Sequence, residues 1–274
     1  MRVLIKGAGD LATGVACSLY QAGFQILMTE LSSPTVIRRE VAFAQAVYQG
    51  WMEVEEVRAH LVGDLDDAWA VIEDGDIPIL IDEDMDVLQL FQPDVLVEAT
   101  LAKHNTGIDK DMAPLVVALG PGFIAGVDAD VVVETMRGHN LGRLIYSGGA
   151  LPNTNTPGVV GGKSTERLLR ATGDGLFETC AEIGQFVHAG DLLAYCGGVE
   201  MTATIDGYLR GLLHPELPVF QGMKVGDIDP RCEQSHCFTI SDKARALGGS
   251  VLTAIMRWQF NQNCQCAGQS CQCR

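Results

Sequence analysis

Gly7-Ala8-Gly9-Asp10-Leu11-Ala12 has the spacing G-x-G-x-x-A between an apolar run and a small-residue stretch. At such a turn the first glycine reverses the chain tightly. The second lets backbone N–H groups approach a phosphate, and Ala12 allows close helix-to-strand packing. Glu30 stands at the end of the next apolar run, where an acid would meet ribose hydroxyls and disfavour a 2′-phosphate. Asp10 opposes a bound phosphate unless a cation or metal intervenes. The pattern therefore points to a nucleotide site or to a scaffold whose glycines only pack.

A second glycine-rich span runs from Leu119 to Gly149. Gly120, Gly122 and Gly126 allow backbone conformations closed to other residues, and Arg137, His139 and Arg143 follow closely. Such a group can clamp an anion or form an ion-pair network that ties loops together. Lys103 and His104 follow the run DVLVEAT, at a place that lines the ligand crevice in a doubly wound sheet. Near the end, Cys264, Cys266, Cys271 and Cys273 offer four thiols. These suit a soft metal, or sulfur or selenium carried as an adduct, although the spacing differs from a C-x2-C knuckle. There is no HExxH, Walker P-loop or Ser-His-Asp order, and no catalytic residue can be named.

These groups need a frame. Val3–Ile5, a helix from Asp10 to Ala22 and Gln25–Glu30 read as a βαβ unit. Pro34 and Gly50 bracket an expected helix, and later apolar runs alternate with glycine-rich or helical segments. The expectation is an α/β fold with a Rossmann-like doubly wound parallel sheet over residues 1–172. Residues 173–232, with short runs and frequent turns, read as a small all-β barrel-sandwich of biotinyl or lipoyl type. A C-terminal helix at 233–260 would pack on a domain, and 261–274 would be a flexible Cys-rich tail. Glu200-Met201-Thr202 stands where a carrier domain would present its modified lysine, and Lys224 lies in a later turn, so no covalent biotin or lipoyl group is expected.

The chain has 35 Asp and Glu against 19 Lys and Arg, a formal charge of -16. That balance opposes nucleic-acid binding, which depends on Lys and Arg neutralising phosphates. Nine cysteines without a secreted disulfide pattern, no apolar span long enough for a membrane and no leader imply a soluble, cytoplasmic protein.

Taken together, KGAGDLATGVA, TEL, PTVIRREVAFAQAVYQG, LAKHNTG, LGPGFIAGVDADVVVETMRGHNLGRLIYSG, KVGDIDPR and SDKARALGGSVLTAI resemble the YqeB-type accessory proteins of selenium-dependent molybdenum hydroxylases. The resemblance extends to about Trp258 and leaves out the Cys-rich tail. It implies a Rossmann-type domain with a barrel-sandwich appendage, acting in maturation of hydroxylases whose cofactor carries selenium. The role is similar to that of chaperones that bind molybdenum cofactor and help install its terminal sulfur. Implied partners are the hydroxylase apoenzyme or a selenium or sulfur donor, with a homo-oligomer possible.

On this expectation the glycine turns and Arg137, His139 and Arg143 bind a phosphorylated molybdenum cofactor species, its precursor or a nucleotide. Two alternatives stay open. One is an NAD-dependent oxidoreductase using Gly7, Gly9 and Glu30, and the other a non-catalytic scaffold that docks through its β unit.

Overall fold

The computed structural model describes residues 1–154 and 158–266. Strands β1 (Arg2–Lys6), β2 (Gln25–Glu30), β3 (Trp51–Val54), β4 (Val57–Val62), β5 (Ile77–Ile81), β6 (Val95–Glu98), β7 (Leu115–Leu119), β9 (Val131–Val133) and β10 (Leu144–Ile145) form one sheet. Their order is β10-β9-β7-β6-β1-β2-β5-β4-β3. From β9 to β4 all neighbours are parallel, and an antiparallel strand closes each edge. A two-stranded ribbon, β8 (Ile124–Ala125) with β11 (Gly148–Gly149), lies beside it.

Alternate residues along the strands feed two cores, as the period of two in a strand requires. Val3, Ile5, Val97 and Val117 pack with Val15 and Leu19 of α1 (Asp10–Gln21) and with Leu247, Val251 and Ile255 of α5 (Asp242–Cys266). Leu4, Leu27, Leu96 and Val116 join the opposite core. There they meet Ala68 of α3 (Leu65–Glu73) and Leu88 and Phe91 of α4 (Leu88–Phe91). Among the described residues no helix is long and apolar enough to cross a membrane.

Residues 168–229 build an antiparallel β unit. One sheet is β12 (Leu168–Arg170), β19 (Lys224–Asp229), β17 (Gly207–Leu212) and β14 (Phe186–Val187). The other is β16 (Val199–Thr202), β15 (Leu192–Cys196), β13 (Gly175–Thr179) and β18 (Pro218–Val219). They enclose Phe177, Leu193, Met201, Leu209, Val225 and Ile228.

The expected doubly wound parallel sheet with a biotinyl/lipoyl-like barrel-sandwich is therefore corrected. The large sheet is mixed. The crossovers from β6 to β7 and from β7 to β9 contain no α-helix, only a 3-10 turn at Lys110–Met112 and the short β8. Helix α5, from the far end of the chain, covers this part of the sheet instead. The β unit is two antiparallel sheets with nothing that marks a biotinyl or lipoyl domain, and β12 enters it from before residue 172.

The helix expected between Pro34 and Gly50 is also replaced by two 3-10 turns and α2 (Ala46–Gln49). Backbone groups that a helix would have used go to the β unit: Ile37 C=O accepts from Leu212 N–H at 2.8 Å. Arg39 Nε donates to Leu212 C=O at 2.8 Å, and Tyr48 stacks on His214. Segment 36–39 thus fastens the β unit to the sheet.

Candidate ligand cleft

A cleft of about 970 Å³ opens at the carboxyl ends of β1, β2, β5, β6 and β7. Chain order reverses between β1 and β6, so the cleft lies at the topological switch point where open α/β sheets bind ligands. Gly7, Gly9 and Asp10 form its floor. Gly7 adopts φ +94°, and a Cβ there would sit 3.2 Å from Thr100. The turn therefore needs glycine both for its conformation and for its proximity to the β6 loop.

Glu30 clamps the turn. One carboxylate oxygen accepts from Ala8 N–H and the other from Leu31 N–H, each at 2.8 Å. Burial raises its pKa, and the two N–H bonds only partly offset this. Gly9 caps α1 without a side-chain acceptor of its own, so the first turn of that helix presents its N–H groups at the cleft. Ala12 is fully buried behind it, in the packing role its small side chain allows.

Asp10, which on its own would repel a phosphate, faces Arg38 Nη1 at 3.5 Å. Arg38 also donates through Nη2 to the carbonyls of His236 and Thr239, at 3.0 and 3.3 Å. Its side chain is 8% exposed, and its Nε is buried without a partner. Thr29, 1% exposed, likewise leaves its Oγ1 unpartnered at the cleft. Native structures rarely tolerate such orphans without water or ligand.

Four lysines line the same space: Lys6, Lys103, Lys224 from β19 and Lys243 from the start of α5. Desolvation lowers both Lys224 and Lys243, while Asp10 pulls each the other way. Lys6 Nζ donates to Thr106 C=O at 3.1 Å. Buried Glu98 accepts from Thr100 N–H, from the Thr100 hydroxyl and from Thr106 Oγ1, which fixes the loop that carries Lys103.

Of the residues singled out in the sequence, the cleft gathers Gly7, Gly9, Asp10, Glu30 and Lys103. Gly120 and Gly122 support it from behind. A Cβ on Gly120 would meet Thr135 Oγ1 at 2.8 Å, and one on Gly122 would meet His104 N at 2.5 Å. Gly126 turns the chain toward Ala129 in open space.

Arg137, His139 and Arg143 do not line the cleft. Arg137 forms a bidentate pair with Asp242 at 2.7 and 3.0 Å, and His139 is exposed. Arg143 borders a separate hollow of about 360 Å³ beside Glu134 and Tyr146. Cys264 and Cys266 lie on α5, while Cys271 and Cys273 lie outside the described residues, and with them the four-thiol site. Sequence reasoning missed Arg38, Lys224 and Lys243. Only folding brings them to Asp10, and no local spacing announces them.

The fold and the cleft define an α/β protein with a switch-point crevice, capped by a β unit and a C-terminal helix that both contribute cations. No family model matches the chain. Its sequence is 48% identical over 254 residues to "Uncharacterized protein YqeB" of Escherichia coli K12, which makes the chain a homologue of YqeB. The match covers 93% of this chain and 47% of that protein, so the chain spans about half the length of the curated relative.

Among solved structures it is similar to an aspartoacylase family protein from Mesorhizobium loti, at 10% identity and TM-score 0.29. That match covers 83% of this chain and 84% of the other. It is also similar to the product-bound ectoine utilization protein EutE (DoeB) from Ruegeria pomeroyi, at 14% identity and TM-score 0.26, with the same coverage. At these scores neither bears on the argument.

Proposed function

We propose that this chain is an accessory protein in the maturation of selenium-dependent molybdenum hydroxylases. It binds a phosphorylated molybdenum cofactor species, its precursor or a nucleotide in the switch-point cleft. One observation carries the reading: in a chain of charge -16, Lys6, Arg38, Lys103, Lys224 and Lys243 converge on a glycine turn and an uncapped helix start. The similarity to the YqeB-type accessory proteins supplies the context.

The residues suit the phosphorylated end of such a cofactor, because buried Arg38 Nε lacks an acceptor. When bound, the cofactor would supply the molybdenum and dithiolene chemistry. Among the described residues no set of three His, Cys, Asp or Glu side chains gathers as metal ligands. This chain's contribution is to bind and orient through the phosphate, with Glu30 holding the turn and Glu98 holding the Lys103 loop.

The oxidoreductase alternative fits less well, since Ala8 N–H, in the turn along which a pyrophosphate would lie, already donates to Glu30. The test is native mass spectrometry with molybdenum and selenium analysis on protein purified without oxygen from a host supplied with both elements. A co-purifying pterin is the expected result. Protein that emerges without a pterin and instead takes up NADH stoichiometrically overturns the reading.

A further inference from the structure

The cations of the cleft are not spread evenly. Arg38 lies 3.5 Å from Asp10, and Lys224 and Lys243 both feel the Asp10 charge. Asp10, Arg38, Lys224 and Lys243 all line the cleft, which Glu30, Asp82, Glu83 and Asp84 line as well. The three cations arrive from separate parts of the chain. Arg38 comes from the segment that fastens the β unit, Lys224 from β19 and Lys243 from α5. Asp10 opens α1, whose first turn has no side-chain cap.

Of the other carboxylates that act on these lysines, Glu134 accepts from Met136 N–H and Leu151 N–H. Asp242 is paired with Arg137, and Asp227 with Arg167. Arg38 leaves a buried Nε–H unused at the cleft, and Thr29 leaves a buried hydroxyl unused beside it.

We propose that Arg38, Lys224, Lys243 and the N-terminus of α1 form a subsite for a terminal phosphate monoester dianion. In that subsite the β unit and α5 complete a binding site that the sheet only begins. The inference rests on the phosphorylated-ligand reading above and deepens it. A monoester phosphate has three free oxygens and a charge close to two, so it suits donors approaching from several directions. A dinucleotide pyrophosphate lies along the glycine turn and leaves its ribose to the acid after β2. Here Ala8 N–H, in that turn, is donated to Glu30 and not left for a pyrophosphate.

The experiment is isothermal titration of the whole chain with AMP, inorganic phosphate and NADH at low ionic strength. It is run on wild type, K224Q/K243Q, K224R/K243R and K110Q. Circular dichroism melting confirms that each variant folds. AMP and phosphate are expected to bind wild type, with NADH much weaker. K224Q/K243Q should lose about 100-fold in affinity for AMP, about tenfold for each charge-assisted contact. K224R/K243R should recover most of the loss, and K110Q, which removes an exposed lysine paired with Asp111 outside the cleft, should stay within about threefold of wild type.

Unchanged AMP binding in folded K224Q/K243Q overturns the subsite, and so does NADH binding that matches or exceeds AMP. The two proposals fail separately. A chain that co-purifies with a pterin and keeps it in K224Q/K243Q refutes the subsite alone. Lysine-dependent AMP binding by a chain that never carries a pterin refutes the maturation role alone.

Discussion

Gly248 of α5 crosses Gly14 of α1 so closely that a Cβ on Gly248 would sit 2.6 Å from the Gly14 carbonyl oxygen and 2.1 Å from Ser18 Oγ. The reciprocal position is as tight, with a Cβ on Gly14 falling 2.6 Å from Ala244 Cβ. This contact lets α5 lie down beside α1 and brings Lys243 to the cleft that Gly9 and Asp10 also line. The site and the helix crossing therefore share one cause.

Gly248→Ala should lower stability by about 1–3 kcal/mol, because the added methyl meets backbone that cannot yield cheaply. Gly249→Ala, with nothing within 4 Å, should be neutral or stabilise by up to about 1 kcal/mol through helix propensity. Urea unfolding of the pair measures the difference, and equal effects would refute the close crossing.

Two glycines that look alike in the sequence should also separate. Gly122 has φ +107°, and a Cβ there would lie 2.5–2.6 Å from the backbone of Lys103 and His104. Gly126 has φ +87° and open surroundings. Gly126→Ala should cost roughly 1 kcal/mol from its backbone conformation alone. Gly122→Ala should cost more and shift the backbone amide resonances of residues 101–106, which NMR reads directly.

For Glu30→Gln the amide offers one acceptor where the carboxylate offers two, so Ala8 N–H or Leu31 N–H loses its partner. The expected loss is about 1–3 kcal/mol near pH 4 and shrinks toward neutral pH. The pH dependence has a definite sign. Because burial raises the Glu30 pKa above 4.5, its contribution to stability is full below 4.5 and declines as pH rises through the folded value. The Gln variant should lack that decline when stability is followed from pH 4 to pH 8.

Asp229 should behave in the opposite way. Burial alone would raise it, but hydrogen bonds from Arg231 and the nearby Arg210 hold it down at about 2. Its stabilisation, about 2 kcal/mol, is present above 3.8 and is lost as pH falls toward 2. Acid unfolding of Asp229→Asn should be flatter across that window than acid unfolding of wild type.

Arg137 pairs with Asp242 at a substantially exposed site, side chains 37% and 73% accessible. Arg137→Ala should cost no more than about 1 kcal/mol and leave AMP affinity within about threefold of wild type. A large loss of binding would restore Arg137 to the ligand site.

What could be read from the chain was local. The run Val3–Ile5, the turn Gly7–Asp10, helix α1 and Glu30 lie within one βαβ stretch, where glycine spacing and alternating burial act over a few residues. Glu30 was found at its position, but the structure gives its carboxylate to Ala8 and Leu31. The helix expected after Pro34 failed for a nonlocal reason, since Ile37 C=O finds its partner on β17. The helix-free crossovers around β7 failed likewise, because α5 supplies their cover.

By itself the sequence determined the glycine turn, the strand that leads into it, and the acidic balance of the chain. Tertiary structure alone decided which cations reach that turn. Arg38, Lys224 and Lys243 meet Asp10 because antiparallel pairing of the β unit and the close Gly14–Gly248 crossing bring distant backbone together. Such contacts depend on shape complementarity between surfaces that exist only after folding, and no residue spacing along the chain encodes them in readable form.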